Sequence, residues 1–208
     1  MRPLLTTTTR TPAPAQAPPA PWATPALACL LAHAERADPS LRLHSSRVTR
    51  LSLEIGRLLG LVPARLAVLA VAAAVHDVGK LAVAPAILAK PAELDAWERS
   101  VVERHPLEGE RLLEPHVGSR ELLAIVRSHH ERWDGAGYPD GLAGEAIPLG
   151  ARIVAVADAF TAMVEPRPYR VPRPSPQARA ELLDQAGRQF DPVCAHAGFA
   201  ATAAFAAA

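Results

Sequence analysis

Aromatic side chains are scarce in this chain. They make up 4% of its 208 residues, although hydrophobic residues reach 50%. A core of this kind has to be built from Ala, Leu and Val, and Ala and Leu rank high in helix propensity. Cysteine is nearly absent: Cys29 and Cys194 stand near opposite ends. That excludes a disulfide framework and points to a reducing compartment. Neither sign of charge dominates. The formal net charge is +1, with no long run of acids or bases. Bulk electrostatics therefore give no reason to expect a nucleic-acid polymer or a membrane surface as partner. A helical nucleic-acid reader would also need a basic stripe that is missing here. No stretch approaches ~18 uninterrupted apolar residues, so no transmembrane helix is expected. Residues 1–25 hold no apolar run of signal-peptide length. The expected location is cytoplasmic.

What the chain does have is unevenly placed proline and strong helical patterning. Pro12, Pro14, Pro18, Pro19, Pro21 and Pro25 crowd the start. They remove backbone donors and disfavour helix at the preceding residues, so residues 1–25 read as a disordered or extended arm. Residues 26–199 read as one domain, followed by an Ala-rich tail at 200–208. Inside the domain, Val48, Leu51, Ile55, Leu58 and Leu59 form one stripe of a helix over 41–59, ended by Gly60. Pro63 opens an almost wholly apolar helix over 64–75. Further helices are expected at 26–37, 94–103, 107–113, 121–130, 147–164 and 178–187, and a last one from Phe190. No strand pattern is present. The expectation is an all-α bundle of about seven to eight helices.

Polar residues at the ends of apolar helices carry the chemistry. His76-Asp77 closes the most apolar helix, where an unpaired charge costs several kcal/mol, so a buried Asp is usually paired or bound to metal. Asp158 stands among Val154, Val156, Ala157, Ala159 and Phe160 and needs a partner for the same reason. His129-His130 ends another helix and is followed by a Gly-rich loop, 134–144, too rich in breakers to be helical. Imidazole and carboxylate are natural co-ligands for a hard or borderline cation. The competing reading is a satisfied core pair and a helix end with two surface histidines. His44, taken alone, reads as a capping or surface histidine.

Together these residues resemble a known family. His76-Asp77 with Gly79-Lys80, and His129-His130-Glu131-x-x-Asp134-Gly135-x-Gly137-Tyr138-Pro139, are similar to the signature of the HD-GYP family, bacterial phosphohydrolases of the HD superfamily. The likeness extends to His44-Ser45-x-Arg47-Val48, His105-Pro106, Ala157-Asp158, Arg167-Pro168-Tyr169-Arg170 and Gln189-Phe190-Asp191-Pro192.

The resemblance implies an HD-domain-like helical bundle with seven metal ligands. One divalent ion would be held by His44, His76, Asp77 and Asp158. The second would share Asp77 and add His105, His129 and His130. Iron or manganese is the implied metal, and such a ligand set does not exclude zinc, nickel or cobalt. The implied activity is a cyclic di-GMP phosphodiesterase, giving pGpG and then GMP by way of a hydroxide activated between two metals. Asp77 and Lys80 are the implied catalytic residues, with Lys80 facing the phosphate. Arg167 and Arg170 would clamp a second phosphate in a fork. Gly137, Tyr138 and Pro139 would wall the ligand pocket, and Glu131 and Asp134 would orient ligands or the loop.

Three positions depart from the family pattern. Ser40 stands where some members have a Glu that holds a third metal, which points to two ions here. Thr161 and Pro166 replace acidic residues. Two other readings share the same residues: an HD-type phosphohydrolase for another cyclic nucleotide, and a non-catalytic module binding a protein signalling partner through the Gly-Tyr-Pro surface.

Overall fold

The computed structural model describes residues 25–37, 39–166 and 171–203. Most of the expected N-terminal arm and Ala-rich tail lies outside the described residues, as do Arg167 and Arg170. The described chain forms ten α-helical segments: α1 (Pro25–Ala37), α2 (Pro39–Leu58), α3 (Pro63–Val75), α4 (Pro85–Leu88), α5 (Ala96–Val102), α6 (His105–Leu113), α7 (Arg120–Ser128), α8 (Leu149–Val164), α9 (Ser175–Asp184) and α10 (Pro192–Ala201). No strand occurs among the described residues; a single isolated bridge joins Ala186 to Phe190.

The all-α class is as expected. The ten segments exceed the seven or eight anticipated, but only one short piece falls outside the spans read from the sequence. Pro85 opens the single turn α4 inside what reads as a connector. His105-Pro106 starts a helix instead of only stopping one, because a proline in the first turn gives up an amide that has no partner there anyway. The pattern also overruns one end. Helix α7 stops at Ser128, immediately before the His pair and two residues short of the expected end, where the Glu131 amide bonds back to the Ser128 carbonyl in a tight turn. Local capping sets other boundaries: Asp95 and Glu98 form a reciprocal capping box at α5, and the Ser119 hydroxyl accepts from the Leu122 amide at α7.

The core is aliphatic, as the composition requires. Val48, Leu51 and Ile55 of α2 meet Leu69 and Ala72 of α3, Leu122, Ile125 and Val126 of α7, and Ile153, Val154 and Ala157 of α8. Phe160 and Phe190 are the aromatics buried in it. Small residues bring the helices close. A Cβ on Gly150 would collide with Ile125, and one on Gly198 with Val156. Leu51 is fully buried, so Leu51→Ala would remove ~2–5 kcal/mol from the scaffold.

This packing aims five chain segments at one point. Helix α2 lies against both α3 and α8, which sets His44 beside His76 and Asp158. A 3-10 helix over Val78–Ala82 continues from α3 and packs on α6. Gly79 makes that approach possible: a Cβ there would run into the His105 carbonyl oxygen and the Gly109 amide. Asp77 and His105 are thereby pressed together. No described helix is long and apolar enough to cross a membrane.

Candidate metal centre

Three of the histidines reach the centre from helix ends. Each donates its Nδ1 proton to the carbonyl of the residue three positions earlier: His76 to Ala73 at 2.8 Å, His105 to Val102 at 2.8 Å, and His129 to Val126 at 2.7 Å. Those carbonyls lie in the last turn of α3, α5 and α7, where no further amide of the helix can reach them. A carbonyl oxygen only accepts, so Nδ1 carries the proton and Nε2 keeps its lone pair for the interior of the centre.

The lone pairs converge. Ligand atoms of Asp77, His105, His129 and His130 lie within 4.8 Å of one another, as do those of His44, His76 and Asp77. Asp77 belongs to both groups. Asp158 joins through its Oδ1, 3.0 Å from His44 Nε2. All seven residues expected from the sequence are thus brought to one place, and His76, His105 and His129 are fully buried. His33, His116 and His196 are exposed elsewhere.

The charges settle into an ionised carboxylate pair surrounded by imidazoles of unequal character. Burial opposes ionisation of Asp77, but the Lys80 cation and His76 outweigh it and hold the carboxyl far below the usual range. Asp158 is likewise held down against burial by its hydrogen bond from His44. Burial keeps His129 neutral and pushes His130 down to about 3. Burial also disfavours charge on His44 and His76, yet neighbouring carboxylates outweigh it: Asp158 and Glu165 raise His44 to about 9, and Asp77 raises His76.

This donor set fits divalent cations. His76 Nε2 and Asp77 Oδ1 are buried without a hydrogen-bond partner. His105 Nε2 approaches both His129 Nε2 and Asp77 Oδ1 at 3.2 Å. With Nδ1 as the protonated nitrogen, these are acceptors facing acceptors, an arrangement that a cation among them resolves. Separations near 3 Å are also what adjacent ligands show around an ion with bonds of ~2.1 Å at right angles.

The walls are built by the Gly-rich loop. Tyr138 stacks on His130 with ring centroids 5.0 Å apart, and its hydroxyl is pushed up by burial, with Glu103 adding to the effect. Glu131 is buried and accepts from the Asp140 amide at 2.7 Å and the Leu142 amide at 3.1 Å. Gly137 lies so close to the backbone of Glu131 and Arg132 that no Cβ fits. Arg127 then ties the loop down, with Nε and Nη2 forking onto Asp140 at 2.7 and 2.8 Å and Nη1 on Glu110. Asp134 is exposed on the outer side, paired with Arg132.

Sequence reasoning missed Glu165, which reads as the start of a linker. Its Oε2 accepts from His44 Nδ1 at 2.8 Å and its Oε1 from Arg47 at 2.9 Å. A signal was present: Glu165 follows Asp158 by seven residues, two helical turns, and so falls on the same face.

A helical bundle that gathers His and Asp donors from five segments around a shared carboxylate defines a metal-centre protein of the HD type. The sequence profile of the HD domain family matches residues 28–194, and the chain belongs to that family. HD-domain phosphohydrolases are metal-dependent, in keeping with the donor set. Among curated proteins, the cyclic di-GMP phosphodiesterase response regulator RpfG of Xanthomonas campestris pv. campestris is 44% identical over 156 residues, 73% of this chain and 40% of that protein. The 3'3'-cGAMP-specific phosphodiesterase 2 of Vibrio cholerae is 38% identical over 153 residues, 72% of this chain and 29% of that protein. The chain therefore spans well under half the length of these relatives. Among solved structures, Bd1817, a HDG"Y"P protein from Bdellovibrio bacteriovorus, superposes with a TM-score of 0.63 at 20% identity, covering 77% of this chain and 51% of that one.

Proposed function

We propose that this domain is a metal-dependent phosphodiesterase that opens cyclic di-GMP to linear pGpG, with GMP as the further product. The observation that carries the reading is the meeting of seven His and Asp ligands around Asp77, directly beside the Gly137-Tyr138-Pro139 loop. In this reading His44, His76, Asp77 and Asp158 hold one ion, and Asp77, His105, His129 and His130 the other. Iron or manganese is the proposed metal. Two such ions supply a hydroxide at neutral pH and neutralise phosphate charge. The chain's own residues do the rest. Asp77 is shared by both halves. Lys80, whose ammonium rests 2.6 Å from Asp77 Oδ2, is free to turn that charge toward a phosphate oxygen. Tyr138 offers an aromatic face to a base, and Glu131 holds the loop that presents it. Arg167 and Arg170 are proposed to fork onto the second phosphate. A cytoplasmic location and a protein signalling partner that supplies the input belong to the same proposal.

A second substrate has specific support. Relatives named as 3'3'-cGAMP-specific and as cyclic di-GMP phosphodiesterases match this chain at the same 38% identity. The dinucleotide is therefore the point on which the readings part. Protein loaded with Mn(II) or Fe(II) is incubated with cyclic di-GMP and with 3'3'-cGAMP, beside Asp77→Ala, and products are separated by chromatography. The proposal expects pGpG or GMP from cyclic di-GMP and none from the variant. Turnover of cGAMP alone moves the assignment to that substrate. Absence of turnover by protein holding two metals per chain moves the assignment to an HD-type phosphohydrolase acting on another nucleotide, and absence of both turnover and metal favours the non-catalytic module.

A further inference from the structure

We propose that Glu165 is a positioning residue for the His44 half of the metal centre and that it sets the affinity of one of the two ions. The inference rests on the two-ion reading above and concerns this chain's own side chains.

His44 has a problem that the other histidine ligands do not share. His76, His105 and His129 follow helix ends and lean on carbonyls left unused in the last turn. His44 lies inside α2, five residues from its start and fourteen before its end. The carbonyls one turn behind it are already spent on the helix. Its Nδ1 proton therefore needs an acceptor from elsewhere, or the ring is free to spin and to change tautomer.

Glu165 is that acceptor. It follows the end of α8 and reaches across to place Oε2 2.8 Å from His44 Nδ1. Its other oxygen is held by Arg47 at 2.9 Å, one turn beyond His44 on the same helix. The carboxylate is 12% exposed, so water competes weakly for it. Asp158, two turns earlier on α8, meets the opposite nitrogen, Nε2, at 3.0 Å. Both nitrogens of His44 are thus addressed by carboxylates, one on α8 and one directly after its end. Glu165 keeps the proton on Nδ1, leaves Nε2 to the metal, and fixes the plane of the ring. A carboxylate behind a histidine ligand is worth ~10–100-fold in metal affinity.

The test is a cobalt(II) titration of metal-free protein, followed by visible absorption, for the wild type, Glu165→Gln and Glu165→Ala. The expected result is two equivalents bound by the wild type. In the variants one equivalent weakens by ~10–100-fold while the other keeps its wild-type affinity. The zinc-loaded wild type should also show a protected His44 Nδ1 proton by nitrogen-15 NMR, absent in Glu165→Ala. Glu165→Gln preserves shape and decides the matter if the alanine variant does not melt cooperatively. Wild-type affinity for both equivalents in the variants overturns the inference. So does equal weakening of both, which would mark a merely structural role. A wild type that takes up no cobalt overturns the two-ion reading itself, an outcome distinct from either.

Discussion

Lys80 Nζ lies 2.6 Å from Asp77 Oδ2, so a cation rests on the one carboxylate that both halves of the centre share. The two residues are joined by the first turn of the 3-10 helix, where the Lys80 amide also bonds to the Asp77 carbonyl. Without metal, Lys80 is the strongest influence keeping Asp77 ionised. In the proposed two-ion reading, bound metal would take over that duty and leave the ammonium available. Lys80→Met should therefore retain both metals, measured by elemental analysis, and lower kcat by ~10²–10³-fold, the usual loss of one charge-stabilising donor. Loss of metal together with activity would show that Lys80 acts through Asp77 alone.

Gly79 is the pivot of the same turn. A methyl group there would strike the His105 carbonyl oxygen and the Gly109 amide, backbone atoms that cannot rotate away. Gly79→Ala should cost about 3 kcal/mol in urea unfolding, the upper range for overpacking a tight contact. It should also part Asp77 from His105 and weaken the metal centre. An unchanged urea midpoint would contradict the close approach.

Stability of the metal-free protein should peak near pH 6.5. His44 is raised to about 9, so the folded chain keeps a proton that the unfolded chain loses above 6.5. Its contribution is full below 6.5 and is lost as pH rises through about 9. His130 is depressed to about 3 and His129 is lowered in the same direction. Below 6.5 the unfolded chain binds protons that the folded chain refuses, so stability falls again as pH drops. Urea midpoints from pH 4 to 10 test the dome. Metal must also displace the His44 proton, so calorimetric titration at pH 7 in two buffers of different ionisation enthalpy should reveal proton release.

Glu131 accepts from two loop amides while buried. Glu131→Ala leaves the Asp140 and Leu142 amides without an acceptor and should cost ~1–3 kcal/mol. Hydrogen exchange should rise at these two amides first, KM should increase, and metal content should stay at the wild-type level. Loss of metal would instead place Glu131 among the supports of His130.

The paired motifs, His76-Asp77 and His129-His130 with Gly137-Tyr138-Pro139, were legible because their chemistry is local: neighbours in sequence sit at one helix end. The all-α class was legible in the aliphatic, aromatic-poor composition. Helix boundaries were less so. No glycine or proline stands between Ser128 and Asp134 to end the helix, and only the turn that returns the Glu131 amide to the Ser128 carbonyl ends α7 before the His pair.

Glu165 shows the limit most clearly. In the sequence it opens a proline- and arginine-rich segment, and the acidic positions replaced are Thr161, four residues earlier, and Pro166, directly after it. In the fold Thr161 is buried, its carbonyl accepts from the Glu165 amide, and the Glu165 carboxylate swings to a histidine 121 positions away. By itself, then, the sequence determined which donors exist and that apolar helices carry them, since residue type and helical period are local properties. Only the tertiary structure decided which donors meet, which nitrogen of each imidazole faces inward, and which carboxylate stands behind His44. Those depend on how α2, α3 and α8 pack, and packing depends on the whole core at once.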